Sequence, residues 1–192
     1  MDLAAAGALC GRGDAVIRVV SVSDDAITVA SSQLDDTWEF GRAVARALGS
    51  AFAIIGLEGE LGAGKTAFTR GFVKTLAPEA EVLVASPTYA ICHTYRTEPA
   101  LHHLDLYRVS DEDDLESTGV RDLIERSVML IEWPSCVPSV LELLHYRVDI
   151  EHGRTEDERT LTFSATALGL MTVVADVARH LRTSQDGVTP SC

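Results

Sequence analysis

Apolar positions along the chain alternate between short continuous runs and stretches with helical spacing. Ala26 to Ala30 reads as a short strand. Asp36, with Glu39 three residues later, forms a capping box for a helix running to about Leu48, whose Phe40, Val44, Ala47 and Leu48 recur on one face. Ala53-Ile54-Ile55-Gly56-Leu57 has the composition of a strand buried on both faces. It runs directly into a glycine-rich segment and then a helix from Lys65 to about Leu76. Val82 to Ala85 reads as a further buried strand. Tyr89 to Tyr95 and Ala100 to Leu106 flank Arg96 to Pro99 as the arms of a hairpin. Acidic Asp111 to Asp114 opens a helical stretch, and Val128-Met129-Leu130-Ile131 is another apolar strand, closed by Glu132-Trp133-Pro134 because proline cannot continue a central ladder. Strands at about Tyr146 to Ile150 and Arg159 to Ser164 precede a last helix from about Leu170 to Arg182. Helices alternating with apolar strands predict a single α/β domain, with a mostly parallel central sheet flanked by helices. Its bounds are 26–182, with residues 1–25 expected as a disordered extension and 183–192 as a flexible tail.

Composition narrows the function classes. The chain has 192 residues, 46% hydrophobic and 23% charged, enough for one sizeable core. A formal charge of -13 repels phosphate backbones, so any connection to nucleic acid is expected to run through a partner. Cys10, Cys92, Cys136 and Cys192 are widely spaced, which suggests neither a zinc site nor a disulfide framework and fits a reducing cytoplasm. No apolar run approaches the roughly 20 residues that span a bilayer, and Asp2 stands where a signal peptide carries basic residues.

The chemistry concentrates in Gly59-Glu60-Leu61-Gly62-Ala63-Gly64-Lys65-Thr66. Its spacing is that of a phosphate-binding loop, and its position between a strand and a helix is the context that motif requires. Gly59, Gly62 and Gly64 can adopt positive φ, so backbone N–H groups can turn inward toward phosphate oxygens, and the helix adds its positive end. Lys65 is expected to place its charge on the β and γ phosphates and Thr66 its hydroxyl on Mg²⁺. Ala67 offers only its amide. The predicted ligand is Mg²⁺-ATP. Adenine is favoured indirectly, because the chain contains no asparagine and so lacks the Asn-Lys-x-Asp guanine motif.

Such a loop needs a carboxylate at the end of a neighbouring strand. Glu132 and Asp105 each end an apolar run and are the two candidates. The hydroxyls of Ser86-Pro87-Thr88 lie where they could sense a γ phosphate. One of His102 and His103 is expected to pack or bond locally within their strand, with His103 structural and no metal spacing beside it, and Cys92 is expected to be a small core residue.

Gly-Glu-Leu-Gly-Ala-Gly-Lys-Thr at 59–66, Ser-Pro-Thr-Tyr at 86–89, His-Leu-Asp-Leu-Tyr-Arg at 103–108 and Glu-Trp-Pro at 132–134 together resemble the TsaE ATPases, formerly YjeE. The resemblance covers about residues 31–164. It implies a place in the bacterial machinery that makes threonylcarbamoyladenosine beside the anticodon of certain tRNAs, with TsaD and TsaB as partners and tRNA met only through their complex. By position, it implies that Lys65 and Thr66 serve phosphate and metal, that Glu132 serves the metal, and that Asp105 is needed for hydrolysis. Thr88 resembles a mobile switch threonine, and Trp133 the family's tryptophan needed for activity, with an apolar plug beneath the site as its plainer role. The chain departs at Ala67, where a second threonine is common, and at both ends. Two other classes share the loop: a small-molecule kinase, for which no cluster of lid arginines is seen, and a nucleotide-dependent binding module with negligible turnover.

Overall fold

The computed structural model describes residues 17–78, 84–123 and 127–186. Its strands are β1 Arg18–Val22, β2 Ala26–Ser31, β3 Ala53–Glu58, β4 Cys92–Tyr95, β5 Leu101–Asp105, β6 Val128–Glu132, β7 Tyr146–His152 and β8 Arg159–Ala165. Its helices are α1 Leu34–Leu48, α2 Lys65–Leu76, α3 Glu112–Ser117, α4 Pro138–Leu141 and α5 Met171–Asp186. All eight strands form one sheet in the order β1-β2-β8-β7-β3-β6-β5-β4. β3 pairs in parallel with both β6 and β7, and β6 pairs in parallel with β5. The remaining neighbours are antiparallel.

The domain is therefore α/β as expected, but the sheet is mixed, with parallel pairing confined to its centre. Burial follows the same division. β3, β5 and β6 are buried almost throughout, as strands covered on both faces must be. β2 and β7 alternate between buried and more exposed positions, the period of a strand with one covered face. Helices α1, α2 and α5 cover one face, with Phe40, Phe72 and Val177 packed among Ile55, Leu57, Leu130 and Phe163. On the opposite face, Leu115, Val140 and Leu144 pack with Ile54, Met129 and Ile131.

Several boundaries differ from the sequence expectation. Helix α1 begins at Leu34, so Asp36 is its third residue rather than its cap. From there the Asp36 carboxylate reaches back to the amides of Ser32 at 2.8 Å and Gln33 at 3.2 Å. Glu39 instead pairs with Arg42 and Arg46. Residues 18–22, expected to be part of a loose start, form β1 because Val19 and its neighbours find a ladder on β2. Helix α5 runs to Asp186, past the expected end at Arg182. Of the strand expected at 82–85, residues 82 and 83 lie outside the described residues, and Val84 and Ala85 belong to no strand. The hairpin is present, β4 against β5, with a shorter first arm than the apolar run suggested.

Where α1 crosses α2, each helix presents a glycine to the other's backbone. A methyl group at Gly41 would collide with the carbonyl oxygen of Phe68, and one at Gly71 with that of Trp38. The close approach sets the lateral position of α2 and so of the residues at its start. Gly71→Ala should destabilise the domain by about 2 kcal/mol, because the collision is with backbone that cannot rotate away. Gly169→Ala, with open space at its Cβ, should cost less than about 0.5 kcal/mol. Denaturant titration of the two variants checks the contrast, and equal losses would contradict the packing account.

Candidate functional site

The site is built where the central parallel strands end. β3 leaves the sheet at Glu58 and the chain turns through 59–64 before α2 begins at Lys65. Gly59, Gly62 and Gly64 have φ of 148°, 79° and 117°, values that L side chains rarely adopt. At Gly59 a side chain would also strike the carbonyl oxygen of Ile150. Glu60 and Leu61 form the exposed tip, whereas Ala63 is fully buried and Ala67 is the third residue of α2. The loop closes around the Lys65 ammonium, which donates to the carbonyl oxygens of Gly59 at 2.6 Å and Glu60 at 2.9 Å. The same ammonium lies 3.6 Å from the centroid of the Trp133 ring. Burial holds the Lys65 pKa below its ordinary value, against the opposing pull of the Glu132, Asp105 and Glu58 carboxylates.

The carboxylates arrive by strand periodicity. Leu101, His103 and Asp105 share one face of β5, and Val128, Leu130 and Glu132 share that face of β6. The parallel register sets Asp105 opposite Glu132. Glu132 Oε1 accepts the Thr66 hydroxyl at 2.9 Å and lies 2.9 Å from His103 Nε2. Asp105 Oδ2 accepts the hydroxyls of Ser86 and, at 2.7 Å, Thr88, while Oδ1 accepts the Tyr107 amide at 3.0 Å. Glu132 thus reaches the first turn of α2, whereas Asp105 is bonded to the segment carrying Ser86 and Thr88 and to the chain just beyond its own strand. Trp133 follows in the left-handed conformation, φ 60°, its amide bonded to Leu57 and its ring 5.2 Å from that of Tyr107. It covers the ammonium and is not a plug beneath the site.

This arrangement has two chemical capacities. A loop of three positive-φ glycines, a helix N-terminus and a buried ammonium can together make a receptor for an anion rich in oxygen. The Thr66 hydroxyl and Glu132 carboxylate are a hard oxygen pair suited to a magnesium ion that keeps water and ligand oxygens in its shell. Among the described residues no group of three His, Cys, Asp or Glu could hold a metal alone, so a cation here would draw further oxygens from water or a bound anion. A groove of about 780 Å³ lies away from these groups, between Phe52, Leu141, His145 and Leu170. It contains none of the loop residues.

Three residues that touch the site were not assigned to it from sequence. His103, expected to be structural, bonds Glu132 on the next strand, and its place two residues before Asp105 is the available signal. Tyr107, within the 103–108 motif, meets Trp133 with its ring and Asp105 with its amide. Arg159, at the start of β8, donates from Nε to the carbonyl oxygen of Ala63 at 2.9 Å and so pins the loop from behind. No pattern near Arg159 announces a contact 96 positions away.

Similarity to known proteins covers this whole constellation. A model of the family described as "Threonylcarbamoyl adenosine biosynthesis protein TsaE" matches residues 31–161. The tRNA threonylcarbamoyladenosine biosynthesis protein TsaE of Bacillus subtilis (strain 168) is 34% identical over 145 residues, covering 72% of this chain and 88% of its own. Its namesake in Streptomyces coelicolor is 36% identical over 147 residues, covering 73% of this chain and 96% of its own. The crystal structure of Bacillus subtilis YdiB matches with a TM-score of 0.62 and 25% identity, over 81% of this chain and 95% of that one. The matched segment holds the glycine-rich loop, Thr88, Asp105, Glu132 and Trp133, and the chain belongs to the TsaE family.

Proposed function

We propose that this chain is a magnesium-dependent ATPase that acts in the cytoplasm within the machinery for tRNA threonylcarbamoyladenosine. The pathway follows from family membership and from the names of the curated relatives. The observation that carries the ATPase reading is the Lys65 ammonium enclosed by the loop, beside a Thr66–Glu132 pair that faces Asp105 on the adjacent strand. In this reading Lys65 turns from the loop carbonyls to the β and γ phosphates, and the amides of 59–67 take the remaining phosphate oxygens. Thr66 and Glu132 hold Mg²⁺, which when bound neutralises charge developing on the phosphates. Asp105 orients the attacking water, for which it must release the Ser86 and Thr88 hydroxyls. Trp133, lying over the ammonium, keeps bulk water from it.

The partners come from the family resemblance, which implies TsaD and TsaB; a net charge of -13 gives the chain little attraction for tRNA and fits tRNA being met through that complex. No helix among the described residues is long and apolar enough to cross a membrane. Thr88 and the adjoining Tyr89, 91% exposed, form the segment whose position depends on Asp105. Release of the Thr88 hydroxyl in the ATP state would let this segment present a different surface to the partners.

Phosphate release from ATP and magnesium, with and without the purified pair, tests the reading. Partner-dependent release is expected; binding without release in any combination would leave a nucleotide-dependent binding module. Lys65→Ala should lose ATP binding or turnover while keeping its circular dichroism spectrum, and unchanged affinity and turnover would contradict the phosphate assignment. Glu132→Gln should still bind ATP but hydrolyse it at least about tenfold more slowly, about 1.4 kcal/mol in the barrier. Hydrolysis with wild-type magnesium dependence would move the metal role to Asp105. Calorimetry with the pair should find tighter association in a non-hydrolysable ATP analogue than in ADP, and Thr88→Ala should reduce that difference. Equal affinities in the two wild-type nucleotide states would remove the switch, because a ligand indifferent to two conformations cannot shift their balance.

A further inference from the structure

His103 occupies an unusual position for a core residue. It lies at the centre of β5, fully buried, on the face that carries Leu101 two residues before it and Asp105 two after it. Its Nε2 is 2.9 Å from Glu132 Oε1, and its Nδ1 is buried without a hydrogen-bond partner. A buried, unpaired ring nitrogen costs stability that an apolar side chain would not. If the position served packing alone, leucine, as at Leu101, would fill it better. The cost is accepted for the contact on the other side of the ring.

We propose that His103 is a positioning residue for the Glu132 carboxylate in the cation site. An ionised carboxylate only accepts hydrogen bonds, so the contact requires the proton on Nε2, leaving Nδ1 as a lone pair toward the apolar interior. The donated bond adds to that of Thr66 on the same oxygen and fixes the carboxylate rotation. Both bonds fall on Oε1, and among the described residues none falls on Oε2. The imidazole therefore holds one oxygen against the Thr66 hydroxyl while the other remains available to a cation. Without it, the carboxylate can rotate about its last torsion, and the Thr66–Glu132 pair loses its fixed geometry. Groups that orient a metal ligand in this way change metal affinity by about 10- to 100-fold when removed. This inference rests on the magnesium-nucleotide reading of the same site.

The test combines a readout on the ligand-free protein with a magnesium titration. Long-range ¹H–¹⁵N spectra of ligand-free protein should find His103 protonated at Nε2 and not at Nδ1; an Nδ1–H tautomer would overturn the proposal. A fluorescent ATP analogue titrated with MgCl₂ then reports the magnesium midpoint. His103→Leu should raise that midpoint at least about tenfold. His103→Gln places an amide N–H at similar reach and should stay within about threefold of wild type. In a Glu132→Gln background, His103→Leu should add little, because the residue acts through Glu132. A wild-type midpoint in His103→Leu, or full additivity in the double variant, would overturn the positioning role while leaving the nucleotide site intact. Binding of the analogue by wild type with no magnesium dependence would overturn the cation site and this inference together. If His103→Leu does not fold, the spectra and the Gln variant decide: an Nδ1–H tautomer in wild type, or a midpoint shift of about tenfold in His103→Gln, would overturn it.

Discussion

A lysine ammonium is costly to bury unless it is paired and hydrogen-bonded, and the centre of this molecule is arranged around that constraint. Lys65 is only 4% exposed. Its charge is answered by two loop carbonyls, an indole face and three carboxylates at longer range. Each requires something specific of the chain. The carbonyls point inward because glycine permits positive φ at 59, 62 and 64. The indole lies over the ammonium because Trp133 adopts the left-handed conformation with its amide held by Leu57. The carboxylates face it because three parallel strands, β3, β6 and β5, end side by side. In the proposed nucleotide reading, phosphate oxygens would replace these partners, so the arrangement that stabilises the free protein would also be the one that receives the ligand.

The helix crossing is part of the same constraint. Thr66 reaches Glu132 only if the start of α2 lies against the ends of β5 and β6. Its lateral position is fixed at the other end of the contact, where Gly41 and Gly71 bring backbone against backbone and Phe40 meets Phe68 edge-on at 6.0 Å between centroids. The core cluster that includes these phenylalanines also includes Ile55, Leu57 and Leu130 from the central strands. Packing and chemistry are therefore coupled through one helix, without any ligand group being needed to hold it in place.

What could be read from sequence divides along the range of the interactions. The glycine-rich loop, its strand and its helix were legible because their signals are local: backbone freedom at three glycines, a buried run before them and helical spacing after. Glu132 and Asp105 were legible as strand ends, since an apolar run stopping at a carboxylate is visible in either strand alone. Their mutual register is a pairing property and was not. The antiparallel pairing of β2, β8 and β7 was hidden for the same reason, although each strand was expected, and β1, five residues with little burial of its own, exists through its ladder to β2. Asp36 was read one turn too late because a capping box defines a spacing between two residues and not which of several carboxylates supplies it. Arg159 touches the loop from a strand joined to β7 and β2, and only the assembled sheet brings it there.

The two carboxylates, although opposite one another, differ in what holds them, and the difference assigns them different mechanical characters. Glu132 is held by Thr66 from the first turn of α2 and by His103 from the middle of β5, both within regular elements. Moving it would disturb a helix or the sheet. Asp105 is held by two hydroxyls from the 84–91 loop and by the amide just beyond its own strand. Each hydroxyl bond to a charged acceptor contributes about 1.5–3 kcal/mol, a magnitude that exchange for another charged acceptor can offset. A site needs one fixed ligand and one that can change partners if binding is to be communicated outward, because only a differential contact shifts a conformational balance. In this fold the fixed carboxylate is tied to helix and sheet, and the exchangeable one to the loop that carries Thr88 and the exposed Tyr89.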